Sequence, residues 1–317
     1  MKKLLLLILL VSVILVSGCV QQATPTSASR GLTIRSFDVN PSQVQANEPV
    51  LIDVAVDNVG GTTATNAQLD FYGVQDQWRD STGNTVTSTL TRALGTMTPP
   101  EPSRNVPGQT KLVQLELRPP ELPQGITTAL PLEARVTYDY KTSGFINMPA
   151  VSEDEYRRMQ INKEVADTAT VVNSAGPLAM SMDTQYIPIR VDTTSTDDTV
   201  WPLKIILTNV GDGFPITQED DVAIRGAGGK LQGTIQLLGP AEFAECLGAT
   251  SGKSVDLDNS DITLRLRSSG SVPIACSIKL DPSTFDTNHP KDTVKLIFDI
   301  SYRYYVSSKA SVMVTGR

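Results

Sequence analysis

Three cysteines carry the clearest chemical signal in the sequence: Cys19, Cys246 and Cys276. Cys19 ends an N-terminal segment in which two lysines precede an apolar run over residues 4–16 and then small residues, the order of a secretory signal. Such a signal places the rest of the chain in an oxidising compartment, where cysteines pair as disulfides. With Cys19 at the cleavage site, we expect a disulfide between Cys246 and Cys276, and two buried free thiols are the alternative.

The segment Val16-Ser17-Gly18-Cys19 resembles the lipobox of bacterial and archaeal lipoproteins. The resemblance implies cleavage before Cys19 and a lipid on its sulfur atom. As a helix, residues 4–16 would be about 20 Å long at ~1.5 Å per residue, which is short of the ~30 Å hydrocarbon core of a bilayer. An ordinary signal peptide and an uncleaved anchor are the alternatives, and all three interpretations put the rest of the chain outside the cytoplasm.

Composition and charge limit the domain count and the classes of molecule that the protein can bind. Removal of residues 1–18 leaves 299 of the 317 residues, enough for two domains that each bury a core. The full chain has 27 basic and 34 acidic residues, and loss of Lys2 and Lys3 gives the mature chain a net charge of −9. An acidic chain without a basic cluster is a poor partner for nucleic acid or anionic lipid. We therefore expect membrane attachment through at least two lipid chains on Cys19, and a further partner that is an envelope protein or a surface glycan.

Residues 248–254 look like a phosphate-binding loop but are one residue short, because its first glycine belongs at Leu247. Such a loop also needs a strand before it and a helix after it, so that backbone N–H groups converge on phosphate. Residues 241–247 instead predict a short helix after Gly239-Pro240. We expect a flexible loop at 248–254.

Side chains with oxygen atoms stand at alternate positions in Asp256-Leu257-Asp258-Asn259-Ser260-Asp261, as ligands do in a calcium loop. The EF-hand pattern requires a glycine at Asp261 and a glutamate at Arg267, and both are missing. Residues 197–198 and 219–221 form two further acidic groups. Each group is a candidate for Ca²⁺ or an ordinary solvated loop, and no metal ligand is assigned.

The remaining residues with useful chemistry are few. His289 is the only histidine and lies in a loop signature, so the chain has no site with two or three histidines for zinc. No Gly-x-Ser-x-Gly elbow supports a serine hydrolase, and aromatic residues are only 5% of the chain. Trp78 is a candidate sugar platform, but partial burial of Trp78 and Trp201 at a sheet end is the favoured interpretation. The sequence predicts no catalytic residue and no cofactor.

Period-two alternation of apolar and polar residues predicts β-strands along most of the chain. Ile52, Val54 and Val56 alternate with other residues in this way, and so do the residues of segment 132–140. Further strands are predicted near residues 32–37, 69–71, 86–94 and 112–117. One helix is predicted over residues 152–163, with a capping box formed by Ser152 and Glu155.

The second half of the chain repeats landmarks of the first half. A strand leads into Asn58-Val59-Gly60 in the first half and into Asn209-Val210-Gly211 in the second. Later, Tyr138-Asp139-Tyr140 matches Tyr302-Arg303-Tyr304, and a polar turn is predicted after each, at residues 141–144 and 306–309. An asparagine at a strand end bonds the turn backbone, and the following glycine allows positive φ. We expect two tandem copies of one β fold.

Short strands without β-α-β alternation predict two-sheet sandwiches. The Asn-Val-Gly turn and the closing Tyr-x-Tyr hairpin resemble the CARDB-like, immunoglobulin-type domains of archaeal and bacterial surface proteins. This resemblance implies modules that space, adhere or bind at the cell surface without catalysis. The predicted order is a signal peptide at 1–18, a lipidated tether at 19–30, a sandwich at 31–151, a helix and linker at 152–176, and a sandwich at 177–317 with an insertion at 225–275.

The sequence therefore predicts an all-β, lipid-anchored, non-catalytic cell-surface protein that acts as a structural, adhesive or binding module. The alternatives are a substrate-binding or envelope-assembly lipoprotein and a carbohydrate-active enzyme. Residues 21–30 are mostly small and polar, with one proline, so we expect a tether that stays extended and mobile. Insertion 225–275, which contains Cys246 and ends directly before Cys276, is expected to hold what distinguishes the protein from CARDB-like domains.

Overall fold

The structure, a computed structural model, describes residues 30–317 except 75–76, 87–89, 184–186, 196, 217–230 and 258–269. Cys19, the lipobox and residues 19–29 of the tether lie outside the described residues. The described chain consists mainly of antiparallel strands packed as immunoglobulin-like sandwiches. The predicted all-β class is confirmed.

The strands of the first half are β1 (Leu32–Asn40), β2 (Gln43–Gln45), β3 (Val50–Asn58), β4 (Ala64–Tyr72), β5 (Arg79–Asp80), β6 (Leu90–Met97), β7 (Thr110–Arg118) and β8 (Thr127–Ser152). The helix α1 (Glu153–Ile161) follows β8. The strands of the second half are β9 (Thr170–Asn173), β10 (Leu178–Met182), β11 (Ile189–Val191), β12 (Thr199–Asn209), β13 (Phe214–Ile216), β14 (Gln232–Leu238), β15 (Ala241–Cys246), β16 (Ala249–Gly252), β17 (Ser254–Asp256), β18 (Ser271–Leu280) and β19 (Lys291–Thr315). Short 3₁₀ turns lie at Pro102–Arg104 and Pro282–Thr284.

A large sheet with the order β17-β14-β19-β8-β4-β6 runs through the molecule. A sheet with the order β1-β3-β7-β5 covers the half that contains β4, where the rings of Phe37 and Phe71 pack edge-on with centroids 6.3 Å apart. A sheet with the order β10-β12-β18-β15-β16 covers the half that contains β14. We call these halves lobe 1 and lobe 2, and their buried apolar side chains join in one continuous core.

The two longest strands run antiparallel through both lobes. β8 and β19 pair from Thr127 opposite Thr315 to Val151 opposite Lys291, which includes all 25 residues of β19. Residues 141–144 and 306–309 lie inside these strands, so the predicted turns and the Tyr-x-Tyr hairpin are wrong. The tyrosines that the hairpin would have closed pair instead with each other across the two strands.

Each long strand is shared by the two lobes. Residues 127–140 of β8 lie in lobe 1 beside β4, and residues 141–152 continue into lobe 2. Residues 291–301 of β19 lie in lobe 2 beside β14, and residues 302–315 return to lobe 1. The predicted spans 31–151 and 177–317 follow the sequence repeats, whereas the lobes of the fold exchange the ends of their last strands.

The two lobes have the same strand order. In lobe 1, β4 and β6 extend the large sheet from β8, and β5 lies beside β7. In lobe 2, β14 and β17 extend the large sheet from β19, and β15 with β16 lies beside β18. Segment 225–275 is therefore not an insertion as a whole, because it contains these counterpart strands. The two intervals, residues 59–109 and 210–270, differ by only ten residues.

The helix α1 begins one residue later than predicted and is capped by one half of the predicted box. Ser152 Oγ accepts a hydrogen bond from the N–H of Glu155 at 3.3 Å. The Glu155 carboxylate does not return to Ser152, because it binds Arg158 and Lys291, and the Ser152 N–H donates to the Pro290 carbonyl instead. Met159 is buried beneath the helix.

Two local predictions in the second half are wrong. Residues 241–246 form strand β15 and not a helix, because Phe243 and Cys246 are buried where β15 pairs with β18. Residues 248–254 include β16 and the start of β17 and are not a flexible loop. The chain turns between β15 and β16 at Leu247 and Gly248, whose φ angles are 54° and 79°.

Candidate functional site

Four buried tyrosines meet at the centre of the ladder between β8 and β19. The ring centroid of Tyr138 lies 5.9 Å from those of Tyr140 and Tyr304, and that of Tyr302 lies 6.2 Å from Tyr140 and 6.3 Å from Tyr304. Tilted and edge-on pairs at these distances add about 0.5–1.5 kcal/mol beyond burial. Burial raises the pKa of all four hydroxyls, so they remain protonated at neutral pH. We call this group the tyrosine cluster.

Asn58 organises the turn at the end of β3 in lobe 1. Its side-chain Nδ2 donates to the carbonyls of Thr62 at 3.1 Å and Met97 at 2.8 Å. Its Oδ1 accepts from the N–H of Gly60 at 3.0 Å. The predicted role of this asparagine, bonding the turn backbone, is confirmed, and the bond to Met97 also fixes the turn to the end of β6.

Tyr140 joins this turn to the linker between the repeats. Its hydroxyl accepts from the N–H of Thr62 at 3.1 Å and donates to the carbonyl of Ala175 at 3.0 Å. The Gly61 N–H donates to the same carbonyl at 2.8 Å. A Cβ atom at Gly60 would collide with the Tyr140 hydroxyl, so the glycine is needed for close approach. We call Asn58, Gly60, Thr62 and Tyr140 the lobe 1 node.

Asn209 occupies the matching position at the end of β12 in lobe 2. Its Nδ2 donates to the Gly213 carbonyl at 2.9 Å, and its Oδ1 accepts from the Gly211 N–H at 3.2 Å. The Tyr304 hydroxyl donates to the same Oδ1 at 2.8 Å and accepts from the Gly213 N–H at 3.0 Å. We call these four residues the lobe 2 node.

The other two tyrosines of the cluster differ in their partners. Tyr302 shares a 2.7 Å hydrogen bond with the Thr142 hydroxyl, which lies on the neighbouring strand. The position equivalent to Thr142 in the other long strand is Val306, which has no hydroxyl. Among the described residues, no side chain completes a hydrogen bond to the buried Tyr138 hydroxyl.

The structure joins Cys246 and Cys276 in a disulfide. The two residues are directly opposite in the antiparallel pair of β15 and β18, so the disulfide fastens these two strands of the lobe 2 sheet to each other. Both cysteines are buried. The predicted lipidation of Cys19 falls outside the described residues and stays a prediction.

A groove of about 440 Å³ lies in lobe 2 between the start of α1 and strands β11 and β12. The Arg190 guanidinium carbon lies 5.2 Å from the ring centroid of Tyr156 and 5.9 Å from that of Trp201. These distances fall within the range of cation–π contacts. Trp201 and Arg190 line the groove together with acidic and hydroxyl side chains: Glu153, Asp154, Asp192, Thr194 and Thr199.

The charges in this groove are set by local hydrogen bonds. Asp192 accepts from the side-chain hydroxyl of Thr194 at 2.6 Å and from its N–H at 2.9 Å, and these bonds lower the pKa of Asp192. Arg157 lies 3.4 Å from Glu153 along the helix. The groove therefore offers an aromatic ring, a guanidinium group and carboxylates, which suit a polar ligand such as a sugar or the polar side chains of another protein.

Other predicted candidates are dispersed. Trp78 is only 2% exposed and belongs to the lobe 1 core, so it is no sugar platform. His289 is exposed, with Nδ1 3.5 Å from Asp286. Asp256 ends β17, and Asp198 lies 3.6 Å from Lys279. Residues 219–221 and 258–261 lie outside the described residues.

The described residues offer neither a gathered metal site nor, where a pKa shift is resolved, a carboxyl group with a raised pKa. Within the part of the chain that the structure describes, no three metal-ligating side chains gather as a metal site. Every described carboxylate with a resolved pKa shift has a lowered value: Glu48, Asp80, Glu155, Glu164, Asp192, Asp281 and Asp286. None of these seven has the raised pKa that the general acid of a glycosidase needs.

The sequence repeat indicated that Tyr138 and Tyr140 match Tyr302 and Tyr304, but it did not predict that these tyrosines pack on each other. The available signal was the composition of segments 141–144 and 306–309, which contain no proline, asparagine or aspartate. It also missed the groove, because Arg190, Trp201 and α1 come from three separate stretches of the chain.

No protein-family model matches the chain, and no curated protein matches it. Solved structures similar to it include Salmonella alpha-2-macroglobulin, at 9% identity and a TM-score of 0.17, where the match covers 91% of this chain but 16% of that protein. The serine-rich repeat adhesion glycoprotein of Streptococcus agalactiae is 10% identical with a TM-score of 0.18, and the match covers 90% of this chain and 97% of that one. The Enterococcus faecalis MSCRAMM ACE is 6% identical with a TM-score of 0.19, and the match covers 89% of this chain and 95% of that one. At these TM-scores the similarities carry no functional inference.

Among the residues that the structure describes, no helix has the length and apolar character needed to cross a bilayer.

Proposed function

We propose that the protein is a lipid-anchored, non-catalytic surface module, which holds a stiff double sandwich outside the cell and presents a binding face on it. In this proposal residues 1–18 are removed and Cys19 carries the lipid. The observation that carries the proposal is the ladder of β8 and β19, which passes through both lobes without a break.

The ladder supports a role in spacing and presentation. Its 25 residues correspond to a length of roughly 80 Å at about 3.3 Å per residue. Two domains joined by a flexible linker would bend between their cores. Here, two shared strands and the tyrosine cluster cross the junction, so bending requires the loss of strand pairing or of buried aromatic contacts.

The attachment point of the tether supports the same role. Gly31 accepts a hydrogen bond from the Val59 N–H at 3.0 Å, and a Cβ at Gly31 would touch Tyr138. The tether therefore leaves from the middle of the ladder, about 40 Å from either end. Residues 20–30 span at most about 40 Å when fully extended, so both lobes stay close to the anchor point.

We propose that the lobe 2 groove beside Arg190 and Trp201 is the binding face. Its polar and aromatic lining suits a surface glycan or a polar segment of another envelope protein, which are the partners that the acidic composition leaves open.

Anchoring is tested by mass spectrometry of the native N-terminal peptide together with cell fractionation. The expected result is a chain that begins at a lipid-modified Cys19 and sediments with membranes. Cys19→Ser is expected to be released in soluble form outside the cell. An unprocessed start with an unmodified Cys19, or a wild-type chain in the cytosolic fraction, contradicts the proposal.

The binding face is tested on a glycan array and on purified host envelope with wild-type protein and Arg190→Ala. Arg92→Ala, an exposed arginine of lobe 1, is the matched control. Arg190→Ala is expected to weaken binding by at least about tenfold, which is typical when one partner of a good polar contact is removed, and Arg92→Ala is expected to bind as wild type. Equal binding by all three chains would place the binding face elsewhere.

A further inference from the structure

Lobe 1 contains an open sheet edge. Residues 306–312 of β19 pair with β8 on one side, and no strand among the described residues pairs with them on the other. Just beyond this stretch, the Met313 N–H donates to the carbonyl of Ser42, next to β2, and the Thr315 carbonyl accepts from the Ala46 N–H. Odd-numbered residues of β19 therefore direct their backbone groups to this edge. Ser307, Lys309 and Ser311 therefore present N–H and C=O groups to the open edge.

The same edge in lobe 2 is covered. Residues 143–147 of β8 are the counterpart of 307–311, because Tyr138 and Tyr140 correspond to Tyr302 and Tyr304. Strand β9 pairs antiparallel with this stretch, with Phe145 opposite Val172 and Asn147 opposite Thr170. The Ser174 N–H also donates to the Ser143 carbonyl at 2.7 Å.

The chain before β1 is in the position that β9 holds before β10. Val59 N–H donates to Gly31 in lobe 1, and Val210 N–H donates to Pro177 in lobe 2, so Gly31 corresponds to Pro177. Counting back by the same number of residues, 24–27 correspond to β9. The described chain also begins on the side of lobe 1 that this equivalence requires. Arg30, the residue before Gly31, lies 2.9 Å from Asp212 in the lobe 2 turn. Its counterpart Gly176, the residue before Pro177, likewise lies against Tyr140 of the lobe 1 node.

We infer that residues 24–27, Thr-Pro-Thr-Ser, dock as a short antiparallel strand on the open edge of β19, with Thr26 opposite Lys309 and Thr24 opposite Ser311. The occupant is thus a segment of the same chain. Docking takes four residues from the tether that the sequence predicts to be mobile.

The segment fits this register chemically. By analogy with β9, Thr24 and Thr26 occupy positions that exchange backbone hydrogen bonds with β19, and threonine favours strands. Pro25 occupies a position whose N–H would point away from β19, which is where an edge strand tolerates proline. A one-residue shift of register would place Pro25 at a bonding position, so the proline selects the register.

Docking of residues 24–27 does not require a lipid on Cys19, but it shortens the free chain between the proposed anchor and the lobes. Only residues 20–23 would remain between Cys19 and the docked strand, a span of about 14 Å at most, in place of the roughly 40 Å of a free tether. The lobes would then be held against the membrane surface with a nearly fixed orientation.

Hydrogen exchange of the Lys309 and Ser311 amides in the purified mature chain tests the inference. Thr26→Pro removes the N–H that would donate to the Lys309 carbonyl, whereas Ser27→Pro alters a non-bonding position and is the matched control. Thr26→Pro is expected to speed exchange at Lys309 by at least about tenfold, as expected for loss of one backbone hydrogen bond, and Ser27→Pro is expected to leave it unchanged. Val172→Pro provides the positive control, because it opens the equivalent β9 pairing beside Phe145.

Fast exchange at Lys309 and Ser311 in the wild-type chain, at the rate of exposed loop amides, would overturn the inference. Equal acceleration by Thr26→Pro and Ser27→Pro would overturn the proposed register. Either result leaves the proposed function standing, because anchoring through Cys19 is measured separately by mass spectrometry.

Discussion

The two nodes are built from the same residue types but close in different ways. In lobe 2, the Tyr304 hydroxyl donates directly to Asn209, so the node closes within its own repeat. In lobe 1, the Tyr140 hydroxyl donates to the carbonyl of Ala175 in the linker that leads to the second repeat. The lobe 1 node therefore needs the linker that follows its repeat, whereas the lobe 2 node closes with residues of the second repeat alone.

The shared strands create a second difference between the lobes. Thr142, from the end of β8, supplies a hydroxyl partner for Tyr302. Its counterpart, Val306 from β19, supplies none for Tyr138. The Tyr140–Tyr302 pair is therefore held by packing, by the lobe 1 node and by the bond to Thr142. The Tyr138–Tyr304 pair is held by packing and by the lobe 2 node.

Loss of the node asparagines is expected to have the largest effect. Asn58→Ala and Asn209→Ala each remove at least three hydrogen bonds and leave buried backbone groups without partners, which costs about 3 kcal/mol or more of unfolding free energy. Chemical denaturation measures the loss. An effect below about 1 kcal/mol at either site would show that the asparagine does not organise its turn.

Removal of single hydroxyls sharpens the comparison. Tyr304→Phe is expected to cost about 2 kcal/mol, because Gly213 and Asn209 are buried and lose their partner. Tyr140→Phe is expected to cost about 1 kcal/mol, because its bonds to Thr62 and Ala175 are partly accessible to water. Equal losses in denaturation experiments would contradict the different closure of the two nodes.

The unequal partners of the cluster are tested at Thr142. Thr142→Val is expected to cost about 1 kcal/mol, because it leaves the buried Tyr302 hydroxyl without its side-chain partner. Adding Tyr302→Phe to Thr142→Val is expected to restore part of the loss, and this double-mutant cycle is the control. Full additivity of the two changes would show that the hydrogen bond contributes nothing.

A pH effect is expected in lobe 2, where α1 packs. Hydrogen bonds from Arg158 lower the pKa of Glu155 from 4.5 to about 2, with a further contribution from Lys291. A lowered folded-state pKa contributes stability above pH 4.5 that is lost as the pH falls towards 2. Unfolding midpoints measured across this range should fall less steeply for Glu155→Gln than for wild type. If the unfolding midpoints of the two proteins fell equally steeply with pH, Glu155 would contribute nothing to the pH dependence of stability.

The smallest effect is expected at Tyr138. Tyr138→Phe removes a buried hydroxyl that has no side-chain partner and lies beside the Leu32 backbone, so the loss of unfolding free energy should stay below about 1 kcal/mol. A loss as large as that of Tyr304→Phe would show that the Tyr138 hydroxyl has an important partner in solution.

The sequence was sufficient for the local features of the fold. Alternation in residues 52–56 predicted β3, the Ser152 cap predicted α1, and the repeated Asn-Val-Gly motif predicted both turns. Each of these depends on contacts between near neighbours or on the period of one strand. The disulfide was also accessible, because only two cysteines remained to pair.

The exchange of strands was not accessible, because it depends on pairing between distant residues. Gly144 looked like a turn glycine, but it lies in β8 where a Cβ atom would collide with the Val172 carbonyl of β9 and with Phe298. Similarly, Gly239-Pro240 suggested a helix start, whereas pairing with β18 holds the following residues as β15. The groove was missed for the same reason, since its residues meet only in the folded chain.

Cross-linking between β8 and β19 in lobe 1 tests whether the two long strands pass through both lobes. Glu133 lies opposite Lys309, in a pair that shares one face of the sheet, whereas a chain that turned at residues 306–309 would keep Lys309 in the second repeat. The account predicts that Glu133→Cys with Lys309→Cys forms an intramolecular disulfide, and that Glu133→Cys with Ser308→Cys, one residue out of register, does not. Absence of the first disulfide in folded protein would contradict the shared-strand architecture.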